Sequence, residues 1–287
     1  MPNVKKAYDV AVAYRIYPQV SGAASSLPFA DDKYRLSEIC LKSFKESLGD
    51  LQIKLWVLLD GCSPEYARLF ERYFCKEDLV LMHLNGVGNQ ITFNNQITIL
   101  LEQDDASFVY FAEDDYFYVP GQCPLMVDFL RANADVDFVS PYDHTDCYTQ
   151  GIHRHPKWLR VFADHHWRTA ASTCLTFLTR KNILEKTAPI FRRYKRRSDD
   201  CTLWLSLTKR SIFNPIAILR YGVQQSYLAK IIAKSWMYCW RQILFGRRYS
   251  LWIPLPGVAT HLDSKALSPV IDWPTLMRAC SDSLLQP

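Results

Sequence analysis

The chain has 287 residues, 49% hydrophobic and 22% charged, which is enough apolar content to bury a sizeable core and to exclude intrinsic disorder. Its net charge is only +5, yet fifteen lysines and arginines face three acids between Lys181 and Arg248, so that stretch is strongly basic and the rest is acidic. The asymmetry points to an anionic partner on one side, whether nucleic acid, an acidic membrane surface or a phosphate-bearing substrate, or else to a solvated basic face.

The first segment, MPNVKKAYDVAVAY, has a short apolar run broken by Asp9 and Arg15. It reads as a first strand rather than a signal peptide. No apolar run reaches the length of a membrane span. Nine scattered cysteines without a C-x-x-C pair argue against a zinc cluster or a disulfide framework and fit a reducing cytoplasm.

Strand and helix signals then alternate. YDVAVAY is a strand; RLSEICLKSFKESLG has a helical apolar face and stops at Gly49. QIKLWVLLD is a second, buried strand, followed by Ser63 as N-cap, Pro64 at the first helical position and the helix EYARLFERYF. DLVLMHL is a third strand, NNQITILLEQ a helix, SFVYFAEDD a fourth strand, CPLMVDFLRAN a helix and VDFVSPYD a fifth strand. This order predicts an α/β fold with a mainly parallel sheet. The second half is less regular: AASTCLTFLTRKNI turns into a strand, RRSDDCTLWLSLTKR opens a helix on two acids, and 216–253 is aromatic and basic without a clear period.

Ligands bind at the carboxyl ends of parallel strands, which directs attention to FVYFAEDDYFYVPG. Glu113, Asp114 and Asp115 stand together at the end of a buried strand. Like charges so close resist joint ionisation unless a cation compensates them. Two carboxylates one residue apart suit Mg2+ or Mn2+ held together with phosphate oxygens; the alternative is that they merely begin a turn.

From about Val10 to Asp263 the chain resembles the nucleotide-sugar-dependent glycosyltransferases of the GT-A fold, most nearly the inverting family 2. LLDGCSPE is similar to that family's Asp-Gly-Ser turn, FAEDDYFYVPG to its Asp-x-Asp strand end, NGVGNQITFNNQI to the stretch between them, and RRSDDCTLWLSL to the helix start that supplies a base. The resemblance implies a Rossmann-like mixed, mainly parallel sheet flanked by helices. One domain would span 1–287, its donor half over about 1–140 and its acceptor half over about 141–287, including the basic, aromatic region 212–256. It further implies that Asp60 bonds a nucleobase, that Asn94 or Asn95 holds the nucleoside, that Glu113, with Asp114 beside it, faces the ribose or donor sugar, and that Asp115 binds Mn2+ or Mg2+. His261 would be a further metal ligand and Lys265 would reach the diphosphate. The chain departs from the pattern at AYRIYP, at Leu59 and at Glu113, and Arg15 is expected to take over a donor contact because its fork suits phosphate or a base edge.

The expected donor is a nucleoside diphosphate sugar, UDP above others, and the acceptor a saccharide or lipid-linked saccharide. Asp199 or Asp200 is the candidate base that removes the acceptor proton; the alternative is helix N-terminal charge. Asp143, His144, His165, His166 and Trp167 have the chemistry to bind sugar hydroxyls and stack on a ring; alternatively Asp143, His144, Asp146, His165 and His166 form a second metal site. The basic, aromatic region suits peripheral contact at the inner face of a membrane or completion of the core. Rival readings are a sugar nucleotidyltransferase, which should have a Gly-rich phosphate loop after the first strand, a metal-dependent nuclease or nucleic-acid binder, and a non-catalytic carbohydrate-binding module. No nucleic-acid partner is expected.

Overall fold

A computed structural model of the protein describes residues 8–20, 24, 26–196, 199–213 and 226–284. Parts of the basic region, residues 197–198 and 214–225, lie outside the described residues. The first half alternates as its periodicity predicts: β1 (Val10–Ile16), α1 (Lys33–Ser47), β2 (Ile53–Asp60), α2 (Pro64–Tyr73), β3 (Leu79–Leu84), α3 (Asn89–Glu102), β4 (Phe108–Glu113), a short β5 (Tyr116–Tyr118), α4 (Cys123–Ala132) and β6 (Phe138–Val139). The second half supplies α5 (Asp146–Thr149), β7 (Leu159–Phe162), β8 (His165–Ala170), β9 (Phe177–Arg180), α6 (Lys181–Phe191), α7 (Asp200–Thr208), α8 (Ser226–Phe245), β10 (Leu251–Leu255), β11 (Ala259–His261) and α9 (Trp273–Ser283).

Strands from both halves form one sheet in the order β3-β2-β1-β4-β9-β6-β10-β8-β7. β1 to β4, β6, β7 and β10 run one way; β8 and β9 run the other. The sheet is thus mixed and mainly parallel, with helices on both faces, as expected. β1 is buried throughout and shows how: Val10, Val12, Tyr14 and Ile16 pack with Phe44 of α1, Phe70 of α2 and Phe129 of α4, while Ala11 and Ala13 pack with Phe93 and Ile97 of α3 and with α6 and α7. Burial on both faces is why parallel strands read as unbroken apolar runs. Under the second half, Trp204 is fully buried among Phe138, Phe177 and Phe191, with ring centroids 5.0–5.3 Å away. At about 25 cal/mol per Å2 of apolar surface, each such ring contributes a few kcal/mol.

Two elements differ from expectation. α3 begins at Asn89 rather than Asn94 because Gly86 and Gly88 hold φ of +65° and +83°, a backbone that turns the chain sharply into the helix. Residues 226–245, without a readable period, form a single helix kinked at Cys239. Leu228, Ile231, Ile232, Cys239 and Ile243 are buried, while Met237, Trp240, Leu244 and Phe245 are exposed. Apolar side chains on both faces erase the periodic signal.

Candidate active site

The strand order reverses beside β1, with β2 on one side and β4 on the other, and a crevice opens at their carboxyl ends. A cavity of about 370 Å3 fills it, lined by Arg15, Tyr17, Lys33, Asp60, Asn89 and Glu113 to Asp115 among others. Its floor is braced by Gln96, whose buried side-chain amide donates to the carbonyls of Ala13 on β1 and Ala112 on β4 at 2.7 and 3.1 Å. The start of α3 and the loop before it form one wall. There Val87 N–H and Gly88 N–H donate to the two Asp60 carboxylate oxygens at 2.7 and 2.8 Å. Asp60 therefore holds the loop in place while its side chain lines the cavity.

The three consecutive acids turn to three different cations. Glu113, in register with Arg15 on the neighbouring strand, pairs with its guanidinium and accepts a 2.8 Å bond from Thr176 Oγ1. The other arm of Arg15 bonds Asn89. Burial opposes the charge on Arg15, and Glu113 more than offsets it, so its pKa is raised. Asp114 accepts from Lys33 Nζ at 2.5 Å and from Tyr17 N–H at 3.3 Å. Burial pushes the Asp114 carboxyl up against the pull of Lys33.

Asp115 meets His261 Nε2 at 3.1 Å. β11 brings it there, because His261 pairs with Tyr116 across the two-stranded sheet and Leu262 N–H donates to the Asp115 carbonyl. Burial opposes charge on both groups, yet their mutual attraction dominates: His261 rises to about 9 and Asp115 falls to about 2. Asp115 Oδ1 is buried and carries no hydrogen bond. That orphaned oxygen beside an imidazole is a donor set that fits Mn2+ or Mg2+. Among the described residues no group of three or more His, Cys, Asp or Glu is placed to hold a metal. Phosphate oxygens and water would have to complete the shell, as is usual for these ions.

A second cavity, about 230 Å3, is lined by His144, Asp146, His153, Cys174, Asp200 and Tyr227 among others. Burial pushes Asp200 up to about 6, reinforced by the charges of Glu113 and Asp199 and opposed by a bond from Cys201 N–H. Glu113 and His261 both act on Asp200 electrostatically, so the two cavities are close neighbours. Burial also lowers His144 and brings His153 down to about 3, leaving neutral imidazoles around the carboxyl.

Of the residues expected at the donor end, Arg15, Asp60, Glu113, Asp114 and Asp115 line the first cavity. Asn94 and Asn95 do not: they lie a turn or more beyond Asn89, which does, and Asn94 accepts from Arg192 at 2.8 Å. Lys265 is exposed and lines neither cavity; the lysine that lines the first cavity is Lys33. Asp199 pairs with Lys234 at 2.9 Å on the half-exposed rim, so Asp200 is the better placed of the two acids.

The acceptor expectations largely shift. His144 lines the second cavity. Asp143 is buried, paired with Arg168 at 2.5 Å and bonded by Tyr148 Oη at 2.6 Å. Trp167 is fully buried with its ring stacked on Phe129 at 3.8 Å, which leaves no face for a sugar. His165 and His166 begin β8, four strands from β4 in the sheet, and line neither cavity. Lys33, Thr176 and Cys174 were missed. Asn89 lies next to the Gly-x-Gly turn, which was a usable signal; Lys33 and Thr176 are single residues far from the acids in sequence and carry none.

No protein-family model matches the chain and no curated protein is detectably similar to it. Among solved structures it is similar to the galactosyltransferase LgtC in complex with donor and acceptor sugar analogues, with 13% identity, a TM-score of 0.48 and 97% of each chain covered. It is also similar to TarS of S. aureus in complex with UDP-GlcNAc, with 14% identity, a TM-score of 0.40, and 63% of this chain and 47% of that one covered. A third is 4-diphosphocytidyl-2C-methyl-D-erythritol synthase from Anaerococcus prevotii, with 9% identity, a TM-score of 0.42, and 71% and 84% covered. At such identities, and with TM-scores below 0.5, these likenesses identify neither a substrate nor a reaction.

Proposed function

We propose that the protein transfers a glycosyl group from a nucleoside diphosphate sugar, UDP-linked above others, to a hydroxyl of a saccharide, free or carried on a lipid. The observation that carries this reading is the pairing of two cavities: one lined by cations and an orphaned carboxylate oxygen, the other by a carboxyl near pKa 6. The first is lined by Arg15 and Lys33 against the acids Asp60 and Glu113 to Asp115, so a divalent cation at Asp115 would supply the remaining charge needed to hold a diphosphate. Lys33, Arg15 and the amino end of α3 all face it, and helix amino ends favour phosphate. Asp60 keeps that helix end in register by bonding its loop.

Asp115 and His261 would hold Mn2+ or Mg2+; the chemistry such a cation supplies is neutralisation of charge developing on the departing diphosphate. Asp200 takes the proton of the acceptor hydroxyl as that oxygen bonds to the anomeric carbon and the bond from that carbon to the diphosphate breaks. A carboxylate near pKa 6 is ionised at neutral pH and more basic than an exposed one, which suits it to the task. Acting from the side away from the leaving group, it would give inversion of configuration.

Incubating the protein with Mn2+, UDP-sugars and saccharide acceptors tests the reading. Acceptor-dependent release of UDP, lost in Asp200→Asn, is expected. Absence of release from every nucleotide sugar, or release of pyrophosphate from a nucleoside triphosphate instead, would contradict it.

A further inference from the structure

Among the described residues, nothing covers the outer face of α8. Met237, Trp240, Leu244 and Phe245 are 67%, 45%, 50% and 79% exposed, far more than a monomer needs to show at one place. Met237 lies just before the kink at Cys239 and Trp240, Leu244 and Phe245 just after it, whereas Ile231, Ile232, Ser235, Cys239 and Ile243 are buried against the rest of the protein. Lys230 and Arg241 are exposed along the same side, and the Arg241 guanidinium lies 5.4 Å from the Trp240 ring centroid. The helix contains no acidic residue.

Charge decides what covers this face. A second copy docked face to face would oppose arginine to arginine and lysine to lysine, with no acid in the helix to relieve them. A surface of opposite charge with an apolar layer just beneath it satisfies both features: aromatic and aliphatic side chains enter the layer while the cations meet the surface charge.

We propose that the outer face of α8 is a docking surface for an anionic lipid bilayer, on which the protein lies without crossing it. No described helix is long and apolar enough to cross. Tyr227 and Ile231, near the start of the same helix, line the cavity that contains Asp200. The kinked helix of twenty residues spans at most about 30 Å, which bounds the distance between the docked end and the cavity. If the transferase reading holds, a lipid-linked acceptor would approach along this helix; the docking itself does not depend on that reading.

Co-sedimentation with vesicles tests the proposal without any nucleotide. Binding to phosphatidylcholine vesicles containing phosphatidylglycerol is expected, with little to phosphatidylcholine alone, and it should weaken as salt rises. Arg241→Glu should weaken it roughly tenfold or more, and Trp240→Ser with Phe245→Ser should abolish it. Because these side chains are exposed, the variants should keep the parent melting temperature, and that is checked alongside. Three results would overturn the proposal: no binding to anionic vesicles, binding that the variants leave unchanged, or self-association that Trp240→Ser removes in the absence of lipid.

Discussion

Arg15 and Glu113 end adjacent parallel strands in the same register, and their side chains pair across the crevice between them. Both are nearly buried, so removing one partner strands the other's charge in a poor solvent for it. Arg15→Ala is expected to destabilise the fold by about 3 kcal/mol or more, as read by urea denaturation. Arg15→Lys keeps the charge but loses the fork that spans Glu113 and Asn89, and should fall between the two.

Lys33 and Asp114 form the second such pair. Replacing Lys33 with Met keeps much of its bulk and leaves Asp114 uncompensated beside Asp115. Calorimetric titration should show UDP affinity falling roughly tenfold or more, with uridine affinity much less changed. Equal losses for both ligands would mean that Lys33 acts only through the fold.

Asp60 makes its bonds to backbone amides, so Asp60→Asn swaps one acceptor for a donor facing an N–H. A loss of about 1–3 kcal/mol in local stability is expected. Hydrogen exchange at Val87 and Gly88 should quicken by a corresponding factor while β1 and β4 exchange as before.

Asp200 couples activity to stability. Its folded pKa, about 6, lies above the ordinary carboxyl value of 3.8, so the folded protein holds this proton more tightly than the unfolded chain does. Stability from this group is therefore lost as pH rises between those values, by about 3 kcal/mol for a shift of two units. Asp200→Asn, which mimics the protonated acid, should be more stable than the parent above pH 6 and equal to it below pH 4, as read by melting temperature. Transfer should rise through pH 6 in the parent and be lost in the variant at every pH.

Much of this arrangement is legible in the sequence because parallel strands and their end residues are local features. β1 to β4 and β6 follow from apolar runs and turn signals, and the acids at 113–115 stand out because charge rarely follows such a run. What the sequence hides is pairing at a distance. Lys33 and Thr176 lie 81 and 63 positions from Asp114 and Glu113 respectively, counted along the chain, and only the sheet order brings Thr176 near. Trp167 and Asp143 fail as acceptor residues for a related reason: a polar or aromatic cluster does not reveal which side chains turn inward, and these two complete the core and a buried ion pair. α8 lost its period because both of its faces are apolar.

In the proposed function, the crevice between β1 and β4 binds a nucleoside diphosphate together with a divalent cation at Asp115. Thermal denaturation with UDP, GDP, dTDP and CMP, each with and without Mn2+, tests it most directly. One diphosphate, UDP before the others, should raise the melting temperature only when Mn2+ is present, and Asp115→Ala should remove that rise. No rise with any nucleotide, or a rise that is indifferent to both Mn2+ and Asp115, would contradict it.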